Sequence, residues 1–192
     1  MNTTVTNAIT FLMSRGLTKD QAVGICAVLY VESQLNPQAE NNSGTDAGGV
    51  LNSKGAYGIA QWNGPRQAAL ANFASRENLS PSDINTQLQF ILTESANSYP
   101  EVWAAIQNPK TTYQEMITVM VDHYEVPADK PAEIAKATAN AQSWYPLVGA
   151  PVAPITVPLP VASAPNAVAI AQIQDAIAIL QSLLKNLGAP NA

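Results

Sequence analysis

Apolar residues recur every three or four positions through most of the first 145 residues, which is the pattern of helices with one buried face. The spacing predicts helices over 2–15, 17–32 and 66–77. Gly16 separates the first two, because glycine readily adopts the left-handed conformation that ends a helix. The chain is therefore predicted to begin with a mainly helical domain.

The later helices are predicted from their start signals. A start typically shows Ser, Thr or Asp as the capping residue, proline in the first turn, or glutamate or glutamine three residues after the cap. The last helix of the domain is expected to end near Trp144. The predicted starts are Thr18 with Gln21, Ser80 before Pro81, Pro100, Thr112 with Glu115, and Asp129.

The segment 38–65 interrupts the helical pattern. It contains six of the ten glycines, so regular helix is not expected there. We expect only short strands, around 49–51 and 56–59, joined by a turn at 52–55. The predicted fold class is therefore mainly α, an α+β fold whose small irregular or β region lines a groove.

A different composition begins after residue 145. Six prolines among valine and alanine predict an extended linker over 146–165. Residues 166–192 predict an amphipathic helix, with isoleucine at both core positions of its apolar seam, which favours trimers or tetramers. We interpret this helix as a surface for self-association through 166–187 or for docking to another protein. The alternative is that it packs back on the domain of residues 1–145.

Composition and charge exclude several kinds of function. The 14 acidic and 9 basic residues give a net charge of -5, which disfavours binding to nucleic acid. One cysteine and one histidine cannot form a disulfide framework or a zinc site, so neither a metal nor a cofactor is expected. The N terminus lacks the pattern of a signal peptide, and no apolar run reaches the length of a membrane span. Stable membrane insertion is therefore not predicted.

Glu32 is unusual among the remaining acids. A helix turns about 100° per residue, so Glu32 lies on the flank of an apolar face formed by Ala22, Ile25, Cys26 and Leu29. It is also in the last turn of its predicted helix, where the helix dipole disfavours negative charge. Partial burial and the dipole both favour the neutral acid, which is the form that a general acid requires. The alternative is a glutamate that extends into solvent.

Several motifs are more specific than this geometry. Residues 30–37 read Tyr-Val-Glu-Ser-Gln-Leu-Asn-Pro, and residues 57–66 read Tyr-Gly-Ile-Ala-Gln-Trp-Asn-Gly-Pro-Arg. Further along are Glu94 and the stretch 124–127, which reads Tyr-Glu-Val-Pro. In this order, over about residues 8–145, the chain resembles the phage tail lysozyme family, in the lysozyme-like superfamily of goose-type lysozymes and lytic transglycosylases.

The resemblance implies cleavage of the β-1,4 bond between N-acetylmuramic acid and N-acetylglucosamine in peptidoglycan. It places the catalytic acid on Glu32 and a hydroxyl that orients the acid or binds substrate on Ser33. Gln61 matches an amide of the substrate groove, and Gly58 matches a glycine that lets the backbone approach the sugar. An arginine to which we assign a structural role falls on Arg66.

The aromatic residues of the motif have two interpretations. Tyr57 and Trp62 are of the type that stacks on sugar faces in such a groove. For Trp62, packing in the core is an equal alternative.

The resemblance leaves the second catalytic group open. An inverting hydrolase needs a carboxylate that activates water, whereas a lytic transglycosylase uses one acid and the 6-hydroxyl of the sugar itself. The interval 38–56 is longer than is usual for the family and supplies Asp46, our candidate for the water-positioning base. Glu40, Glu94 and Glu125 are alternatives, although Glu125 is better explained as part of a solvated face.

The predicted function is that of an enzyme carried by the phage virion, in its tail, which opens the cell wall locally for genome delivery. Its expected site of action is the host periplasm or cell wall. Its expected partners are peptidoglycan, other virion proteins and, through the C-terminal helix, further copies of itself. Two alternatives are an inactive structural tail protein with a lysozyme fold and a free endolysin.

Overall fold

The computed structural model describes residues 1–41, 50–51 and 55–149. Within these ranges the chain is predominantly helical, which confirms the predicted fold class. Two short antiparallel strands, β1 (Glu40–Asn41) and β2 (Ala56–Tyr57), accompany the helices. The helices are α1 (Thr3–Ser14), α2 (Lys19–Ser33), α3 (Gly64–Arg76), α4 (Ile84–Ser98), α5 (Pro100–Gln107), α6 (Tyr113–Val119) and α7 (Lys130–Trp144), with a π-helical segment (Met120–Glu125) after α6 and a 3₁₀ turn (Tyr145–Leu147) after α7.

The start signals of most helices are confirmed. Thr18 and Gln21 form a reciprocal capping box at α2, and Thr112 with Glu115 forms another at α6. Asp129 caps α7 by accepting a hydrogen bond from the backbone of Ala132. These caps were predictable because each depends on residues only three positions apart.

Helix α2 is the centre of the domain. Its residues 21–29 are all buried, so the single apolar face predicted for it is wrong: α1, α6 and α7 cover the helix from several sides. Gly24 permits the close approach of α6. A Cβ atom at this position would lie 2.8 Å from the Cβ atom of Met116.

The predicted start of α4 is three residues too early. Asp83, not Ser80, caps the helix by accepting a hydrogen bond from the backbone of Thr86 at 3.0 Å. The residues from Ser80 to Asp83 form a turn instead, closed by the hydrogen bond from the Asp83 amide to the Ser80 carbonyl. Proline is compatible with either arrangement, so the local signal did not distinguish them.

The predicted strand pairing is also wrong. Strand β2 pairs with β1, with Glu40 opposite Tyr57, and Val50 and Leu51 lie in a bend instead of a strand. The turn expected at 52–55 falls mainly on residues outside those that the structure describes. Because a two-residue ladder carries little periodicity, tertiary contacts decide its partner.

The boundaries predicted for the C-terminal part stay predictions. The linker beyond residue 149 and the helix over 166–192 lie outside the described residues. At the end of the domain, the Tyr145 hydroxyl donates a hydrogen bond to Asp20 at 2.7 Å. Within the described ranges, no helix combines the length and apolar character that crossing a bilayer requires.

Candidate active site

Glu32 lies in the last turn of α2 and is half-buried. The pKa of its carboxyl group is raised to about 7, first by burial and then by the charge of Glu133 and a hydrogen bond to Glu133. Lys136 acts in the opposite direction and lowers this pKa. Near neutral pH, the carboxyl group is therefore divided between the protonated and ionised forms, which suits a general acid.

The backbone after Glu32 turns sharply. Gln34 and Leu35 both adopt the left-handed conformation, with φ of 57° and 58°, which is unusual for residues other than glycine. The fully buried side chain of Leu35 anchors this turn in the core. The Ser33 hydroxyl donates hydrogen bonds to the carbonyls of Leu29 and Ile59, so it ties the end of α2 to the loop that follows β2.

That loop contains Gly58 and Gln61. Gln61 is half-exposed, has a φ of 47°, and donates a hydrogen bond from its side-chain amide to the Gly58 carbonyl at 2.9 Å. Gly58 is buried with a φ of 79°, and a Cβ atom there would lie 2.8 Å from the Oε1 atom of Gln87. The Gln87 amide therefore lies directly against this glycine. The approach of a sugar to Gly58 stays a prediction.

Gln87 joins three segments of the site. Its Oε1 atom accepts a hydrogen bond from the Ile59 amide at 2.9 Å, and its Nε2 atom donates to the carbonyls of Pro37 and Pro81 at 2.8 and 2.7 Å. The side chain is fully buried. It thereby fixes the loop containing Gly58 against the residues that follow Glu32.

Trp62 is fully buried, which contradicts the stacking role expected for it. Its indole ring packs edge-on against Phe90, as the alternative of core packing predicts. Tyr57 is also buried, and its hydroxyl forms a hydrogen bond with Ser82 at 2.8 Å. Neither ring presents a face to a sugar in this structure, so both stacking assignments are corrected.

A buried network surrounds the carboxylate of Glu94. Arg66 donates to both carboxylate oxygens at 2.8 and 2.9 Å, and Trp62 donates to Oε2 at 3.1 Å. The Tyr124 hydroxyl is a further donor to Oε2. We call Trp62, Arg66, Glu94 and Tyr124 the Glu94 network. It gives Arg66 the structural role suggested by the sequence.

Glu125 and Glu133 form a second set of acids with Glu32, here called the Glu32 acid group. Both have an Oε1 atom that is buried without a hydrogen-bond partner among the described residues. Burial, followed by the charge of Glu32, raises the pKa of Glu125 well above its usual range. The pKa of Glu133 is also raised by burial, although Glu32 and Lys136 act against that shift.

The sequence offers little signal for these two acids. The interpretation of Glu125 as part of a solvated face is wrong, because its Oε1 atom is buried. Glu133 was missed because an acid in the first turn of a helix is ordinarily an exposed partner of the helix dipole.

Cys26 is a buried core residue, as its place on the apolar face suggested, and burial raises the pKa of its thiol.

A cavity of about 480 Å³ lies between α3 and α4. Arg66, Glu94 and Tyr99 contribute to its wall, but Glu32 does not. The candidate catalytic acid therefore lies outside this cavity, and the cavity does not mark the active site. In the part of the chain that the structure describes, no group of three or more His, Cys, Asp and Glu side chains is arranged to hold a metal ion.

Comparison with known proteins agrees with the motifs. The sequence model of the phage tail lysozyme family matches residues 3–148. The chain belongs to this family. It is also 30% identical, over 145 residues, to Morphogenesis protein 1 of Bacillus phage B103. That similarity covers 71% of the chain but only 37% of the phage B103 protein.

The motifs that carry the resemblance to phage tail lysozymes meet in space. Trp62 and Arg66 come from the segment 57–66, Glu94 from α4, and Tyr124 from the segment 124–127, and the Glu94 network joins all four. Glu32 and Ser33 come from the remaining motif. Asp46, the candidate base, lies outside the described residues, so its role stays a prediction.

Proposed function

We propose that this chain is a peptidoglycan glycosidase, which cleaves the β-1,4 bond between N-acetylmuramic acid and N-acetylglucosamine with Glu32 as general acid. The observation that supports this most is the half-buried Glu32 carboxyl group at the end of α2, with its pKa raised to about 7. A carboxylic acid with this pKa holds a proton at neutral pH and can release it to a leaving oxygen.

In the proposed reaction, Glu32 donates its proton to the glycosidic oxygen as the bond between that oxygen and C1 breaks. The bonding electrons stay on the oxygen, which leaves as a hydroxyl group, and positive charge develops at C1. In hydrolysis, water then bonds to C1 and gives its proton to a carboxylate. In transglycosylation, the 6-hydroxyl of the same sugar bonds to C1 and returns its proton to Glu32.

Two groups of residues would support this reaction. Asp46 is the proposed base for the hydrolytic route, and the transglycosylase route does not need it. Ser33, Gly58 and Gln61 are proposed to shape the substrate site. The Gln61 side chain is half-exposed, although its amide also bonds the Gly58 carbonyl, and it is proposed to contact a sugar.

The proposed setting is the phage tail, where the enzyme would open the host cell wall locally during genome delivery. Membership of the phage tail lysozyme family and the similarity to a phage morphogenesis protein support this setting. Within it, the segment 166–187 is proposed to bind other virion proteins or further copies of the chain. The competing proposals are a structural tail protein without activity and a free endolysin.

The decisive experiment is digestion of purified peptidoglycan by the wild-type protein and by Glu32→Gln. We expect the variant to lose about 10²- to 10⁴-fold in rate, because the amide has no acidic proton to donate. Glu77→Gln, at an exposed position, is the matched control and should retain wild-type activity. Equal activity of Glu32→Gln and the wild type would refute the catalytic assignment.

Mass spectrometry of the products would distinguish the two reaction routes. Hydrolysis leaves a reducing sugar end, whereas transglycosylation leaves a 1,6-anhydro end. Absence of any cleavage by the folded wild-type protein would favour the structural alternative.

A further inference from the structure

Glu32 and Glu133 approach each other from opposite ends of two packed helices. Glu32 is in the last turn of α2, and Glu133 is in the first turn of α7. The negative end of one helix dipole therefore acts on Glu32, while the positive end of the other acts on Glu133. This arrangement favours the neutral acid at Glu32 and the carboxylate at Glu133.

Their contact requires a proton. The structure has a hydrogen bond between the two carboxyl groups, yet an ionised carboxylate can only accept hydrogen bonds. One member of the pair must be protonated, and the helix dipoles assign that proton to Glu32. Glu133 is 8% exposed, so water offers it little alternative bonding.

We propose that Glu133 is a positioning residue that shares one proton with Glu32, and that it keeps the acid protonated and oriented until the glycosidic oxygen takes that proton. The proposal rests on the function proposed above for Glu32. It assigns to Glu133 no contact with the substrate, because its carboxyl group acts through Glu32.

The same contact excludes Glu133 as the base that activates water. In inverting glycosidases the two carboxyl groups are about 6.5–9.5 Å apart, which leaves room for the attacking water. Two carboxyl groups joined directly by a hydrogen bond are much closer, and no water fits between them. Glu133 therefore acts on Glu32 in the same way in both reaction routes. Its presence does not indicate whether the enzyme is a hydrolase or a transglycosylase.

Other charged groups act on this pair from two elements. Glu125, in the π-helical segment, interacts with Glu32 and Glu133 as well as with Arg66 and Glu94, and its burial favours its neutral form. Lys136, in α7 three residues after Glu133, favours the ionised form of both acids. Glu133 and Lys136 are thus expected to shift the titration of Glu32 in opposite directions.

The test is a carboxyl titration of the full chain by carbon-13 NMR with labelled glutamate, in which Glu32→Gln identifies the Glu32 signal. Glu133→Gln removes the negative charge, and we expect the titration midpoint of Glu32 to fall by about one pH unit. Lys136→Met removes an exposed positive charge, and the midpoint should rise by a smaller amount. Glu77→Gln should leave it unchanged.

Peptidoglycan cleavage supplies the second readout. In Glu133→Gln, the alkaline limb of the rate profile should move down with the Glu32 midpoint, so that the rate above pH 8 falls by about tenfold. The rate near pH 5 should stay within about twofold of wild type, where Glu32 is protonated in both proteins. A purely structural role would lower the rate at every pH without moving the limb.

The two readouts separate the two proposals. A Glu32 midpoint that does not fall in Glu133→Gln would overturn the shared proton, whatever the activity. Lys136→Met, at an exposed position, is the control that the Glu32 signal responds to a nearby charge. If the midpoint falls in Glu133→Gln while the wild-type protein cannot cleave peptidoglycan, the pair is upheld and the proposed function is refuted.

Discussion

The Glu94 network and the Glu32 acid group differ in the hydrogen-bond donors that their buried carboxyl groups contact. Glu94 accepts hydrogen bonds from three different side chains, including both donors of a bidentate arginine. The acids of the second group face one another, and two of them have a buried oxygen without a partner among the described residues. The first arrangement stabilises a fixed charge, and the second destabilises charge.

This difference separates a scaffold from a reactive site. A fully bonded carboxylate holds its neighbours in place. Burial without donors raises the pKa of an acid and favours its protonated form, which is the form that a general acid requires. The domain thus contains both types within a few side chains, and each prediction below tests one side of this contrast.

The largest expected effect on stability is that of Arg66→Ala. It leaves the Glu94 carboxylate, which is 9% exposed, without its charged partner. We expect the free energy of unfolding to fall by about 3 kcal/mol, at the lower end of the range for a broken buried pair because Arg66 is partly exposed. Urea denaturation measures this. Arg76→Ala, at an exposed position of α3, is the control and should change stability by less than about 0.5 kcal/mol.

The next effect has the opposite sign and depends on pH. The Glu32 pKa of about 7 lies above the 4.5 of the unfolded chain, so ionisation of this group destabilises the fold as pH rises between these values. Glu32→Gln should therefore be more stable than wild type by about 2 kcal/mol at pH 8, allowing for partial solvent screening, and the gain should vanish near pH 4. Thermal unfolding across pH checks this, and a constant difference would contradict it.

The smallest effect is expected for Tyr124→Phe. This change removes one of the donors to Glu94 while the arginine contact stays, so the expected loss is about 1 kcal/mol. Tyr145→Phe is the comparison, because its hydroxyl bonds Asp20 at the partly exposed end of the domain. It should cost less than Tyr124→Phe in the same denaturation assay. The reverse order would show that burial does not strengthen the Glu94 network.

Local features of the fold were predictable from the sequence, and features set by tertiary contacts were not. The capping boxes at Thr18 and Thr112 appear in the structure because both partners lie within one helical turn. The pairing of β1 with β2 depends on residues about 16 positions apart, which no periodicity encodes. The start of α4 was misplaced because Ser80 and Asp83 are both acceptable caps.

The candidate site shows the same division. The place of Glu32 in the last turn of α2 and its partial burial could be anticipated, and with them its raised pKa, although the helix is covered on more than the one face that was predicted. The proximity of Glu125 and Glu133 requires the packing of α7 and the π-helical segment around α2, which a single sequence does not reveal. For Trp62, the sequence did not distinguish stacking on a sugar from packing in the core. Its complete burial in the structure identifies it as a core residue.

The π-helical segment contributes one residue to the Glu94 network and the next residue to the Glu32 acid group. Its hydrogen bonds span five residues instead of four, so one turn accommodates an additional residue. Tyr124 and Glu125 are consecutive on that turn, one bonded to Glu94 and the other acting on Glu32. Any displacement of this turn therefore moves both residues together. The scaffold and the reactive acids are thus joined through a single peptide unit.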